Sequence, residues 1–241
     1  MVTSVFYILT PLLIEWIVSG FVYLVFPTIV NVGVLEVTAI SAVFTSIVIW
    51  GLYKTELHWS EYGELQREDL RELFLLGVAA SVAFNGVVFL SGITKVSESY
   101  KYVADGIYHS HIIVQILTSC ILSPLMEELV YRGMVFRRMR QKVSFVPSLI
   151  ISSIIFGVMH GNLVQGIYAC LVGIVLGICY EHYKTLKAPY VLHIVVNFAS
   201  LLFTWSKGFT MLTKYWLVGV IFVVVGLAFI GRKCWKMLQK F

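Results

Sequence analysis

Apolar stretches of roughly 15–22 residues recur along this chain with short polar punctuation between them, each long enough as a helix to cross a hydrocarbon core of about 30 Å. Inside a bilayer no water satisfies backbone N–H and C=O groups, so such stretches must be helical or close into a barrel. Runs of this length have the helical solution. The chain therefore reads as all-α, a polytopic membrane helical bundle of about eight transmembrane helices. They are placed near residues 5–26, 34–53, 73–93, 107–125, 145–160, 164–182, 189–205 and 215–231. Charged residues make up only 13% of the chain and the mean hydropathy is +0.88. A soluble domain carries about a quarter charged residues, so a water-facing globule is excluded. No linker rich in Pro, Gly or Ser and no repeat divides the chain. Residues 1–241 read as a single integral membrane domain with a candidate catalytic core over 107–205. The first apolar run lacks a basic leader and a small-residue cleavage site, so it reads as a retained helix and not a signal peptide.

Orientation follows from Lys and Arg. With the first residue cytoplasmic, fourteen of the 18 Lys and Arg fall on the cytoplasmic side, and Lys95, Lys101, Lys207 and Lys214 fall on the other. Both termini are then cytoplasmic, in a plasma-membrane protein. The net charge of +5 sits mainly against anionic lipid, which leaves no reason to invoke nucleic acid. Cys120, Cys170, Cys179 and Cys234 are scattered without a CxxC, so they read as free buried thiols. The segment from Glu56 to Glu72, which includes His58, reads as a solvated amphipathic or loop connection.

Against this background, Glu127-Glu128 at the end of an apolar run is costly, and ionisable groups at membrane depth are usually functional. Ser123-Pro124 precedes the pair and predicts a helix restart with Ser as cap and Pro in the first turn. Adjacent helical residues point about 100° apart, so the two carboxylates take different partners. Glu128 and Arg132 are spaced i, i+4 and pair on one face, which leaves Glu127 to point elsewhere. A carboxylate in a partly dry cavity suits a general base near neutral pH. His160 ends the run from Ser148 to Met159, with Phe156 one turn before it. His193 and Asn197 share a helix face. Gly157 and Gly161, like Gly173 and Gly177, have the GxxxG spacing that lets helices approach closely. Glu15 reads as a buried carboxylate bonded to a neighbouring helix. His160 poses a problem of depth, since upright it lies roughly 18–24 Å from the cytoplasmic face. A tilted helix, or a hairpin that stops short of the far side, would resolve this.

Three motifs stand in order: Glu127-Glu128-Leu129-Val130-Tyr131-Arg132, then Phe156-Gly157-Val158-Met159-His160, then His193-Ile194-Val195-Val196-Asn197. In this set the chain resembles the CAAX-protease and bacteriocin-processing (CPBP) family, whose pattern is EExxxR, FxxxH and HxxxN and which includes the type II prenyl endopeptidases. The resemblance covers roughly residues 123–200. It implies an intramembrane endopeptidase in which Glu127 and His160 activate a water, and His193 and Asn197 stabilise the oxyanion. Glu128 and Arg132 are then their structural partners. It implies a peptide or protein substrate at the cytoplasmic membrane face. In a bacterium, a leader peptide, pheromone or bacteriocin precursor suits this better than a prenylated protein. No metal is required in the preferred reading, and a divalent ion such as zinc at Glu127, His160 and His193 is the alternative. The chain contains no HExxH and no GxSxG, which removes two other membrane-protease chemistries. Two non-peptidase readings stand beside this one. The first is a non-catalytic scaffold or immunity protein. The second is a small transporter, which would need broken helices in two matching halves.

Overall fold

The computed structural model describes residues 2–30, 32–57 and 64–239; His58 lies outside them. Among the described residues there are helices and no strands. In chain order they are α1 (Val2–Ile29), α2 (Val34–Tyr53), α3 (Arg67–Leu90), the single turn α4 (Ile93–Val96), α5 (Glu98–Tyr108), α6 (Ile112–Arg140), α7 (Phe145–Val158), α8 (Leu163–Tyr183), α9 (Lys187–Trp205), α10 (Gly208–Lys214) and α11 (Trp216–Leu238). Seven are long and apolar enough to cross a membrane, and α7 is a shorter apolar helix.

Lipid and protein faces separate as a bilayer demands. Helices α1 and α11 expose large apolar side chains such as Trp16, Leu24, Ile221 and Val225, and a helix apolar all round belongs in lipid or in a core. Helices α3, α6, α8 and α9 supply the buried centre, with Leu76, Met134, Leu176 and Leu192 fully enclosed.

The basic end is latched by charge. Glu56 at the end of α2 receives Arg138 at 3.1 Å, Glu181 of α8 receives Arg140 at 2.9 Å and Lys184 at 2.7 Å, and Glu72 of α3 receives Lys233 of α11 at 2.6 Å. Arg138 also covers a proline defect. Pro11 has no N–H, so the carbonyl of Tyr7 one turn earlier loses its helical donor. Arg138 Nη1 donates to that oxygen at 2.6 Å and stacks over the Tyr7 ring at 4.0 Å.

Helices α7 and α8 form an antiparallel hairpin with glycines at the seam. A Cβ on Gly157 would stand 2.6 Å from the Gly166 carbonyl oxygen, and one on Gly173 would press on Phe156 at 3.2 Å. Gly161 contributes differently: nothing packs on it, and its φ of +76° makes the turn. At 1.5 Å per residue the 14-residue α7 is about 21 Å long, short of a 30 Å core. The hairpin therefore leaves the basic end and returns to it. His160 stays about 21 Å from the start of α7, a depth matched by Glu127, 13 residues before Arg140 on α6, and the first and last helices start and end on one side.

Four expectations are corrected. Helix α6 does not end near 125 and restart at Ser123, but runs unbroken from Ile112 to Arg140. Wide i→i+5 turns over Leu117–Leu122 and Glu128–Phe136 carry it past Pro124, with Ser123 itself helical. Helix α3 begins six residues earlier than the apolar run, because Gln66 and Asp69 form a reciprocal capping box. Residues 98–108 form the separate amphipathic α5, capped by Ser97. Arg132, counted above with the cytoplasmic charges, is buried in the bundle.

Candidate active site

The site is built on α6. Glu128 is fully buried, and its Oε1 accepts from Arg132 Nη1 at 2.8 Å and from His193 Nδ1 at 2.8 Å. The i, i+4 pair forms as its spacing requires, and it reaches across to α9, 65 residues away. Arg132 also donates to the Gly173 carbonyl at 3.3 Å and lies 4.4 Å from the centre of the Phe156 ring. A buried carboxylate and guanidinium held this way offset each other's desolvation.

Glu127 points along a different face, as the 100° rotation predicts, and keeps 18% of its side chain exposed to a cavity. His193 Nε2 lies 3.6 Å from Glu127 Oε2, just beyond a direct hydrogen bond. His160, in the α7–α8 turn, bonds the Phe156 carbonyl through Nδ1 at 2.8 Å. A carbonyl only accepts, so this nitrogen carries the hydrogen, and neutral His160 leaves a lone pair on Nε2. His193 follows the same logic, with the Glu128 carboxylate behind its Nδ1. Both imidazoles are thus oriented from behind, and Nε2 is the free nitrogen of each.

Asn197 has a partner that sequence reasoning missed. In the wide turn Ser123 N–H bonds Thr118 O, five residues back. The next step of that register would join Pro124 to Ser119 O, but Pro124 has no N–H. Asn197 Nδ2 donates to Ser119 O at 2.7 Å and fills the gap. The second amide hydrogen of Asn197 remains for chemistry.

Two further residues had no assigned role. Phe156 is the platform of the site: its ring lies 4.8 Å from the ring of His160, 6.0 Å from that of His193 and 4.9 Å from that of Tyr131. The motif spacing that puts it one turn before His160 was the available signal. Glu15 of α1 accepts from the Tyr131 hydroxyl at 3.0 Å, the inter-helix bond expected of it.

Glu127, His160, His193 and Asn197 all line one cavity of about 810 Å³. Its size lies within the usual range of ligand sites, about 300–1,000 Å³. Imidazoles held through Nδ1 are also what metal centres use. Among the described residues, however, no three His, Cys, Asp or Glu side chains converge on a common point. The donor set as arranged does not fit an ion.

Residues 109–199 match the family described as type II CAAX prenyl endopeptidase Rce1-like. Over 125 residues the chain is 28% identical to a protein of Bacillus subtilis (strain 168) described as "Putative membrane peptidase YdiL". That match covers 52% of this chain and 49% of the relative, so the chain spans about half the length of the curated relative it matches. No solved structure matches. The matched segment takes in α6 through most of α9 and holds Glu127, His160, His193 and Asn197 and the Glu128–Arg132 pair. Over residues 109–199, this chain is similar to the Rce1-like type II CAAX prenyl endopeptidases.

Proposed function

We propose that the protein is an intramembrane endopeptidase that hydrolyses peptide bonds of membrane-associated peptides with water activated by Glu127. One observation carries this reading. Of two adjacent carboxylates, Glu128 is spent on Arg132 and His193, while Glu127 has no Lys or Arg partner among the described residues and lines a cavity together with His160, His193 and Asn197. Glu127 takes a proton from water as the oxygen attacks the peptide carbonyl, and it returns that proton to the departing amine. His160 Nε2 accepts a hydrogen bond from the same water and orients its lone pair. The developing oxyanion meets the free amide hydrogen of Asn197. It also meets His193 Nε2 when that nitrogen carries a hydrogen, with the ring held in place by Glu128 at Nδ1. The family match and the membrane peptidase relative support peptidase chemistry in general; these residue roles rest on the geometry.

The test is cleavage of a membrane-tethered peptide by purified protein in proteoliposomes. Glu127→Gln and His160→Ala should each abolish cleavage while leaving thermal unfolding near that of the wild type. Cleavage retained by Glu127→Gln refutes the assigned base.

A further inference from the structure

The cavity lining extends from the candidate site toward one end of the bundle only. From Glu127 and His160 it runs to Tyr23 near the end of α1, to Thr38 in the first turns of α2, to Phe89 at the end of α3, and along α5 from Tyr100 to Tyr108. Every one of these lies at the end of its helix away from Arg137–Arg140. The opposite direction is sealed. Leu57, Leu73, Leu76, Met134, Phe136 and Leu186 are buried to 5% exposure or less, and none lines the cavity. Below them run the ion pairs of Arg138, Arg140 and Lys233.

The chemistry of the open end also departs from that of the basic one. Tyr23, Tyr102 and Tyr108 stand exposed at the rim with Asp105. Burial pushes the Tyr100 hydroxyl up to about 12, so the ring stays a neutral phenol in any working buffer. Tyrosines of this kind anchor helices at a bilayer surface. Deeper in, most of the wall is apolar, apart from one strip where Asn85 and Tyr168 each bond Ser200 at 2.9 Å. Such a strip offers donors and acceptors to an extended backbone, while the apolar wall takes its side chains.

The excess of Lys and Arg at the sealed end makes that end cytoplasmic. Building on the peptidase reading, we infer that the substrate is an extended, apolar, membrane-tethered peptide presented on the non-cytoplasmic face, entering beneath α5. This differs from the substrate at the cytoplasmic face expected from the sequence.

Two measurements on the full chain in intact cells decide it. The first is labelling by a membrane-impermeant maleimide. Tyr102→Cys should label above the wild-type background, and Lys142→Cys, in the exposed α6–α7 connection, should label only after the cells are opened. The reverse pattern places the mouth in the cytoplasm and overturns the inference. The second uses a single-span reporter whose apolar stalk is displayed on either face. Loss of the intact reporter is expected only for the outward display, and only with an intact Glu127. Cleavage of the inward display alone also overturns the inference. Cleavage of neither refutes the peptidase reading, while the labelling pattern still decides where the cavity opens.

Discussion

The Asn197–Ser119 bond separates a structural duty from a chemical one. Asn197→Ala leaves the Ser119 carbonyl without a donor, because Pro124 cannot supply one. A buried acceptor left unpaired costs about 1–3 kcal/mol. Inter-helix hydrogen bonds in membranes average only about 0.6 kcal/mol, since the unfolded chain also finds partners. Ser119 and Asn197 both border the cavity and are only partly buried, so the lower part of that range applies. A loss of about 1 kcal/mol is expected, or a melting temperature about 2–4 °C lower for a chain of this length. Pro124→Ala restores an N–H at the position where the register needs one. In that background Asn197→Ala should cost almost nothing, which gives a coupling energy of about 1 kcal/mol in a double-mutant cycle. The assay is thermal unfolding in detergent for all four proteins, with peptide cleavage measured on each. Stability should return in the double variant, but cleavage should not. Loss of an oxyanion donor costs about 100-fold or more in rate, and a backbone N–H at 124 does not replace it. Equal destabilisation in both backgrounds would refute the proline argument. Cleavage that recovers together with stability would remove Asn197 from the chemistry.

Three shorter predictions accompany it. Arg132→Met leaves Glu128 buried without its cation, and breaking such a pair costs about 3–5 kcal/mol, so detergent-purified protein should unfold at markedly lower temperature or fail to accumulate. Gly157→Ala drives a methyl against the Gly166 carbonyl and should cost about 1–3 kcal/mol by overpacking, whereas a substitution at the open Gly20 should be neutral by the same measurement. Cleavage should survive strong chelation and give metal-free protein on elemental analysis, and activity lost to chelator and recovered with zinc would show that Glu127, His160 and His193 close on an ion.

Local relations in this site were legible from spacing, and distant ones were not. Helical geometry alone separated Glu127 from Glu128 and joined Glu128 to Arg132, because both relations lie within two turns of one helix. The bond from Glu128 to His193 spans three further helical segments, and nothing in either motif specifies its partner. The ordered motifs brought His160 and His193 into one reading without saying that Phe156 would stand between them. Hydropathy placed most helices within a few residues and failed where polar chemistry sets the boundary. Helix α3 starts among charges because a capping box satisfies its first N–H groups, and α5 is too amphipathic to stand out in an apolar scan. The run through Pro124 was misread for a related reason. Proline usually ends or kinks a helix, but wide turns and a donated side-chain amide carry α6 through it.

The brevity of α7 has a consequence for the lipid around it. Val146, Ile150, Ile154 and Val158 form an exposed apolar stripe spaced four residues apart, so this helix meets acyl chains along its length. It covers about 21 Å of a core about 30 Å deep, and a mismatch of that sign is met by local thinning of the bilayer. The uncovered stretch lies beyond Val158, on the side where His160 sits and the cavity opens. Acyl chains that compress there lower the water surface toward the Glu127 carboxylate. On the peptidase reading, the water that hydrolysis needs and a bilayer withholds is thereby brought nearer by a helix about 9 Å too short.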